Sequence, residues 1–133
     1  MTGQASDRRL QRRILKTRPR PGSFRDEMIR RAIASIPRGK VSSYSEVAAA
    51  AGFPLNHRLV VKLLRDAGER LPWHRVLGAQ GDIRLKGEAA LEQRRRLEME
   101  GVRFRGRRVD LVTHRHAFET WAIELPESEP KPR

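Results

Sequence analysis

Apolar residues in the first half of the chain recur at helical steps, and proline and glycine interrupt them. Phe24, Met28, Ala32, Ile33 and Ile36 are spaced three and four residues apart, which predicts one amphipathic helix. Ser23 with Asp26 resembles a capping pair at its start, and Pro37-Arg38-Gly39 stops it. Ser43 followed by Glu46 forms a second capping pattern, opening a short helix through Val47, Ala48 and Ala51. Gly52 suits the end of that helix, because a glycine there relaxes the left-handed backbone of a C-terminal cap. Phe53-Pro54-Leu55 turns the chain, and Asn56 or a neighbour starts a third helix with a core stripe of Leu59, Val60, Leu63, Leu64 and Ala67.

Beyond Trp73 the period shortens. Val76-Leu77 and Ile83-Arg84-Leu85 flank Gly78-Ala79-Gln80-Gly81-Asp82, which predicts a small β-hairpin or wing. A charged helix follows from about Glu88 to Glu100, with Glu92 and Arg96 placed to pair and Gly101 to close it. Val102-Arg103-Phe104 and Val109-Asp110-Leu111 around Gly106 predict a last short hairpin. Three helices followed by a wing give a fold that is mainly α with a small β-hairpin, a winged helix-turn-helix. The length of 133 residues allows one such domain. We place it at residues 23–112, between a flexible basic arm at 1–22 and an extension at 113–133, expected to be disordered from about 126 where proline and charge dominate.

Charge narrows the partner. There are 29 Lys and Arg against 16 Asp and Glu, a formal net charge of +13. Such a surface gains affinity from counterion release on a polyanion, and nucleic acid fits better than a membrane. No basic helix carries the bulky apolar face that membrane binding needs. Arg58, Lys62 and Arg65 fall at i, i+4 and i+7, so the third helix carries a basic stripe opposite its core face. That stripe suits a DNA-reading helix and equally an ordinary solvated face. The arm holds Arg8, Arg9, Arg12, Arg13, Lys16, Arg18 and Arg20 with Asp7 its only acid; it reads as a solvated tail or as a tether to DNA. The chain has no cysteine, which excludes disulfides, thiolate metal sites and thiol catalysis and suits a reducing, cytoplasmic setting. His114 and His116 share a spacing a metal could use, but no third ligand is evident, so neither metal nor cofactor is expected.

One run remains. Ile36-Pro37-Arg38-Gly39-Lys40-Val41, Tyr44, Glu46, Ala48, Gly52, Arg58, Pro72-Trp73-His74-Arg75-Val76, Gly81 and Glu100-Gly101-Val102 resemble, in order and spacing, the DNA-binding domain of O6-alkylguanine-DNA alkyltransferases. The resemblance covers about residues 24–112. Tryptophan stands where that family has its reactive cysteine, which is similar to the alkyltransferase-like proteins.

The resemblance implies binding through the minor groove of double-stranded DNA, with Arg58 as the intercalating arginine finger. Flipping a base costs a few kcal/mol, least for a poorly paired lesion. Tyr44, Trp73, His74 and Lys86 would surround the flipped O6-alkylguanine, while Lys62, Arg65 and Ser43 would meet the DNA backbone. Arg75 and Glu100 would belong to a structural network. Taken by themselves, Tyr44 and Trp73 would read as core aromatics. Indole donates a hydrogen bond but offers no nucleophile, so the implied role is a monomeric, non-enzymatic sensor that flags lesions for nucleotide excision repair proteins. Departures from the family lie at Asn56-His57 and Val61-Lys62, bulkier than the usual residues beside the finger, and at Lys86, where some relatives have a stacking arginine. The alternative function is a winged-helix transcription regulator or architectural DNA-binding protein, which would leave Pro72–Val76 unexplained.

Overall fold

The computed structural model describes residues 21–119, with side chains from residue 24. Helix α1, Pro21–Ala34, begins earlier than the Ser23–Asp26 pair suggested. Proline is at home in the first turn of a helix, where its missing N–H has no carbonyl to meet. Helix α2, Tyr44–Ala50, has the expected capping box: the Glu46 N–H donates to Ser43 Oγ, and the Glu46 carboxylate accepts from the Ser43 N–H. Helix α3, His57–Ala67, follows after the turn at Phe53–Asn56. Ile29, Ile33 and Ile36 from the first helical stretch meet Val47, Ala48, Val60 and Leu63 in one core, with Val76 beneath them.

The expected hairpin at 76–85 does not form. Strand β1, Ser42–Ser43, pairs in parallel with β2, Val76–Leu77, matching Ser42 with Val76 and Ser43 with Leu77. Alternation along β2 explains the difference, since successive side chains point to opposite faces. Val76 joins the helical core, whereas Leu77 joins a second cluster with Val41, Leu97, Val102 and Val109. A hairpin open to solvent on one face would expose one of them. The glycine-bounded turn itself does close, with the Gly78 N–H donating to the Asp82 carbonyl at 2.8 Å.

Helix α4, Gly87–Met99, leads to the second expected hairpin, which is present. Its strands are β3, Phe104–Arg105, and β4, Arg108–Val109, antiparallel with Phe104 opposite Val109. A single turn, α5, Leu111–His114, then carries the chain back over β1. Val41 and Arg115 bridge there, the His116 N–H donates to the Val41 carbonyl, and Phe118 packs on the helical core. Residues 113–118, assigned to an extension, thus lie against the domain. The described residues form a mostly helical fold with a small sheet, built around a helix-turn-helix. No described helix is long and apolar enough to cross a membrane. The expectations for the basic arm and for residues 126–133 lie outside the described residues.

Candidate nucleic-acid interface

Trp73 opens a single turn of 3-10 helix, Trp73–Arg75, between α3 and β2. Its ring is half-buried and held from two sides. The Arg96 guanidinium lies 5.0 Å from the ring centroid, and the His74 ring meets its edge with centroids 6.0 Å apart. Arg96 is in turn fixed by Glu69 at 2.8 Å and by Glu92 at 2.7 Å. Hydrogen bonds from Arg95 and Arg96 hold the Glu92 carboxyl at about 2, and those from Arg96 and from Trp73 lower Glu69. This charged scaffold sets the orientation of the indole.

Tyr44 starts α2 directly after β1, so the two-residue ladder places its ring close to the Trp73 turn. Between Tyr44 and Trp73 lies a cavity of about 300 Å³, walled by Leu64, Leu85 and Gln93 and edged by Val61 and Arg65. Val61 and Leu85 are partly exposed apolar side chains at its opening. An apolar opening of that size, with a few polar groups, has room for one small ligand. Burial raises the Tyr44 pKa, partly opposed by Arg84, so its hydroxyl stays protonated and able to donate. Tyr44 also lines a second, more polar hollow of about 440 Å³ with Ser43, Ser45, His57, Arg84 and Arg108.

Helix α3 presents its basic residues outward. Arg58 is exposed in the first turn and makes no ion pair among the described residues. Lys62 is exposed and pairs with Asp66 at 3.0 Å, an interaction that water weakens and a phosphate can displace. Arg65, expected along the DNA backbone, reaches the mouth of the cavity.

Three other residues named from the sequence sit as follows. His74 is buried behind Trp73 and does not line the cavity: its Nε2 donates to Glu100 at 2.7 Å. The reason is Glu100, which gathers His74, Arg75 and the Gly39 N–H at one carboxylate. Arg75 also donates to the Ile36 carbonyl at 2.9 Å, locking the Trp73 turn to the end of the first helical stretch. Lys86 is exposed at the N-cap of α4, outside the cavity lining, and Leu85 beside it supplies the wall. The alternation of side chains in this extended stretch turns one inward and its neighbour out. Ser43 is only 4% exposed, and its hydroxyl caps α2. Ser45 is exposed at the same hollow, and its hydroxyl shares a 3.3 Å hydrogen bond with that of Ser43.

Sequence reasoning missed Gln93 and Arg96. Gln93 carried a signal, since it interrupts the inward stripe of α4 one turn before Leu97; Arg96 over Trp73 carried none. His114 is internal: the Arg103 N–H donates to its Nε2 at 3.1 Å, so its Nδ1–H donates to the Gly39 carbonyl at 3.0 Å. Both ring nitrogens are spent. Among the described residues no group of three or more His, Asp or Glu side chains could hold a metal ion.

Residues 24–102 match the model of the 6-O-methylguanine DNA methyltransferase DNA-binding domain. The chain belongs to this family. It is 47% identical over 72 residues to a DNA base-flipping protein of Vibrio parahaemolyticus, covering 53% of this chain and 72% of that protein. It is 41% identical over 75 residues to alkyltransferase-like protein 1 of Schizosaccharomyces pombe, covering 53% of this chain and 69% of that one. Among solved structures it resembles S. pombe Atl1 in complex with damaged DNA containing O6-carboxymethylguanine. That match has a TM-score of 0.61 and 30% identity, over 74% of this chain and 98% of the other. The Mycobacterium tuberculosis O6-methylguanine methyltransferase is also similar, with a TM-score of 0.51 and 30% identity, over 60% of this chain and 50% of that one. The chain is therefore an alkyltransferase-like member of the family, with tryptophan at position 73 and no cysteine anywhere.

Proposed function

We propose that this chain is a non-enzymatic DNA damage recognition protein for O6-alkylguanine. It binds the minor groove with α3, inserts Arg58 into the base stack, and receives the flipped base between Tyr44 and Trp73. Arg58 suits the task because a planar cation can stack and hydrogen-bond the orphaned partner base. Lys62, Ser45 and the arginines of the polar hollow meet phosphates, and the basic arm adds sequence-independent attraction. The bound, distorted site is then a flag for nucleotide excision repair proteins.

The observation that carries this reading is Trp73 itself. It stands in the cysteine position of the Pro-x-His-Arg-Val run and walls a base-sized cavity. Alkyl transfer from O6 needs a thiolate, and the chain has none to offer. The base can be held and its alkyl group left in place.

Fluorescence anisotropy with duplexes containing O6-methylguanine or guanine tests the reading. Tighter binding of the alkylated duplex, by tenfold or more on the scale of about 1.4 kcal/mol, is the expected result, with all the methyl label retained on DNA. Equal affinity for the two duplexes sinks it. A preference for one DNA sequence regardless of the lesion would instead favour a transcription regulator.

A further inference from the structure

The β3–β4 hairpin carries four arginines in six residues, Arg103, Arg105, Arg107 and Arg108. Alternation along its strands turns Phe104 and Val109 into the second core cluster and leaves the arginines exposed. The ladder sets Arg105 directly opposite Arg108, and like charges so placed destabilise a strand pair. The arginines of α4 show the contrast: Arg94 meets Glu98, Arg95 meets Glu92, and Arg96 meets both Glu69 and Glu92. On the hairpin, Arg103, Arg107 and Arg108 have no ion pair among the described residues. Arg105 reaches Asp110 only at 3.7 Å, with its side chain 82% exposed. The neighbouring carboxylates are already engaged, Asp110 by the Thr113 hydroxyl at 2.9 Å and Asp82 by Arg84 at 3.3 Å.

The hairpin is also held in place. Arg94 lies 4.2 Å over the Phe104 ring and donates to the Gly106 carbonyl at 3.0 Å. A backbone bridge ties Arg108 to Asp82. The strands that bear the four guanidinium groups are thus fixed before any partner arrives, and an anion between the groups would relieve their repulsion. Position on the surface narrows the partner. Arg108 lines the polar hollow together with Tyr44 and with His57, the first residue of α3. The basic patch therefore runs on from the face that α3 offers to DNA, and a partner spanning both must be anionic along its length. Guanidinium suits phosphate oxygens, which its planar fork can take two at a time.

We propose that the β3–β4 hairpin is a second DNA-binding element: Arg103, Arg105 and Arg107 grip the sugar–phosphate backbone beyond the polar hollow. This lengthens the contact past the segment covered by α3. The inference rests on the reading above for the DNA face of α3, and not for the flipped base.

The test uses the full chain and a duplex that extends a helical turn beyond the site on both sides. Replacing Arg103, Arg105 and Arg107 together by glutamine should flatten the slope of log K against log salt by about 2–3, near 0.9 for each phosphate released. Single phosphates are then replaced in turn by uncharged methylphosphonate. The native protein should lose affinity along one run of phosphates, and the triple variant should become insensitive to two or three at one end of that run. An Arg107→Cys chain gives a second measurement, because no other cysteine competes for a photocrosslinker attached there. It should crosslink to nucleotides at that same end, whatever the fate of the triple variant. An unchanged slope and pattern overturns the proposal and leaves the patch to an acidic protein surface. A flatter slope with the native pattern also overturns it, since that is long-range attraction without contact, and so does the absence of a crosslink. If the native protein prefers O6-methylguanine over guanine while the hairpin end stays silent, the hairpin alone is refuted. If the hairpin end responds and no lesion is preferred, the damage reading falls and this element stands.

Discussion

Glu100 keeps a full charge where water barely reaches, with its side chain 6% exposed. Burial works against that charge, but the Arg75 guanidinium, the Gly39 N–H and His74 outweigh it and hold the pKa at about 2. A folded-state pKa below the unfolded value contributes stability that is present in full above about pH 5. It is lost as the pH falls toward 2. Glu100→Gln should therefore cost about 3 kcal/mol at neutral pH, the range for breaking a buried ion pair. The gap from the native protein should close steadily between pH 5 and pH 2, as read by urea midpoints. Arg58→Ala is its opposite in kind. Arg58 is exposed and unpaired among the described residues, so thermal stability should change by less than about 0.5 kcal/mol. Affinity for an O6-methylguanine duplex should fall at least tenfold if the arginine fills the gap in the stack, at about 1.4 kcal/mol per decade.

At the scale of elements, the turn between β2 and α4 depends on Gly81. Its φ is +82°, and an added Cβ would lie 2.9 Å from the Val109 carbonyl oxygen. The Gly81 carbonyl also accepts from the Val109 N–H at 2.9 Å, so the turn and β4 cannot move apart freely. Gly81→Ala should destabilise by about 2–4 kcal/mol through backbone strain plus the close contact, measurable by thermal unfolding. Local chemistry of this sort was legible in the sequence. The Ser43–Glu46 box, the stripe of α3 and the hairpin about Gly106 each need only neighbours a few residues apart. The β1–β2 ladder was not legible, because Val76-Leu77 could pair as well with 83–85 until burial of both faces decided for Ser42-Ser43. Within the site, Trp73 and Tyr44 were visible as motif residues, and the cavity brings them together. His74 and Lys86 fall outside the cavity lining, since a motif fixes order along the chain and not the direction a side chain takes. The roles of Gln93 and Arg96 depend on α4 crossing the Trp73 turn, a contact without a local signature.

The molecule as a whole carries +13, and its affinity for any duplex should fall steeply with salt. Each phosphate contact contributes about 0.9 to the slope of log K against log salt. Replacing Arg8, Arg9, Arg12 and Arg13 by glutamine should flatten that slope and leave the ratio between lesion and unmodified duplexes unchanged. Arg84→Gln with Arg108→Gln should flatten it too, by about 2 if each meets one phosphate; an unchanged slope would remove the polar hollow from the interface. The placement of Tyr44 adds something that neither hollow has alone. One ring forms a wall of both the apolar cavity and the polar hollow. Filling either side restricts the same side chain, and such coupling is reciprocal by thermodynamic necessity. In our reading the base and its strand therefore act as a coincidence signal: a free nucleobase or an intact backbone presents half the message, and the full response belongs to a nucleotide extruded from a continuous strand.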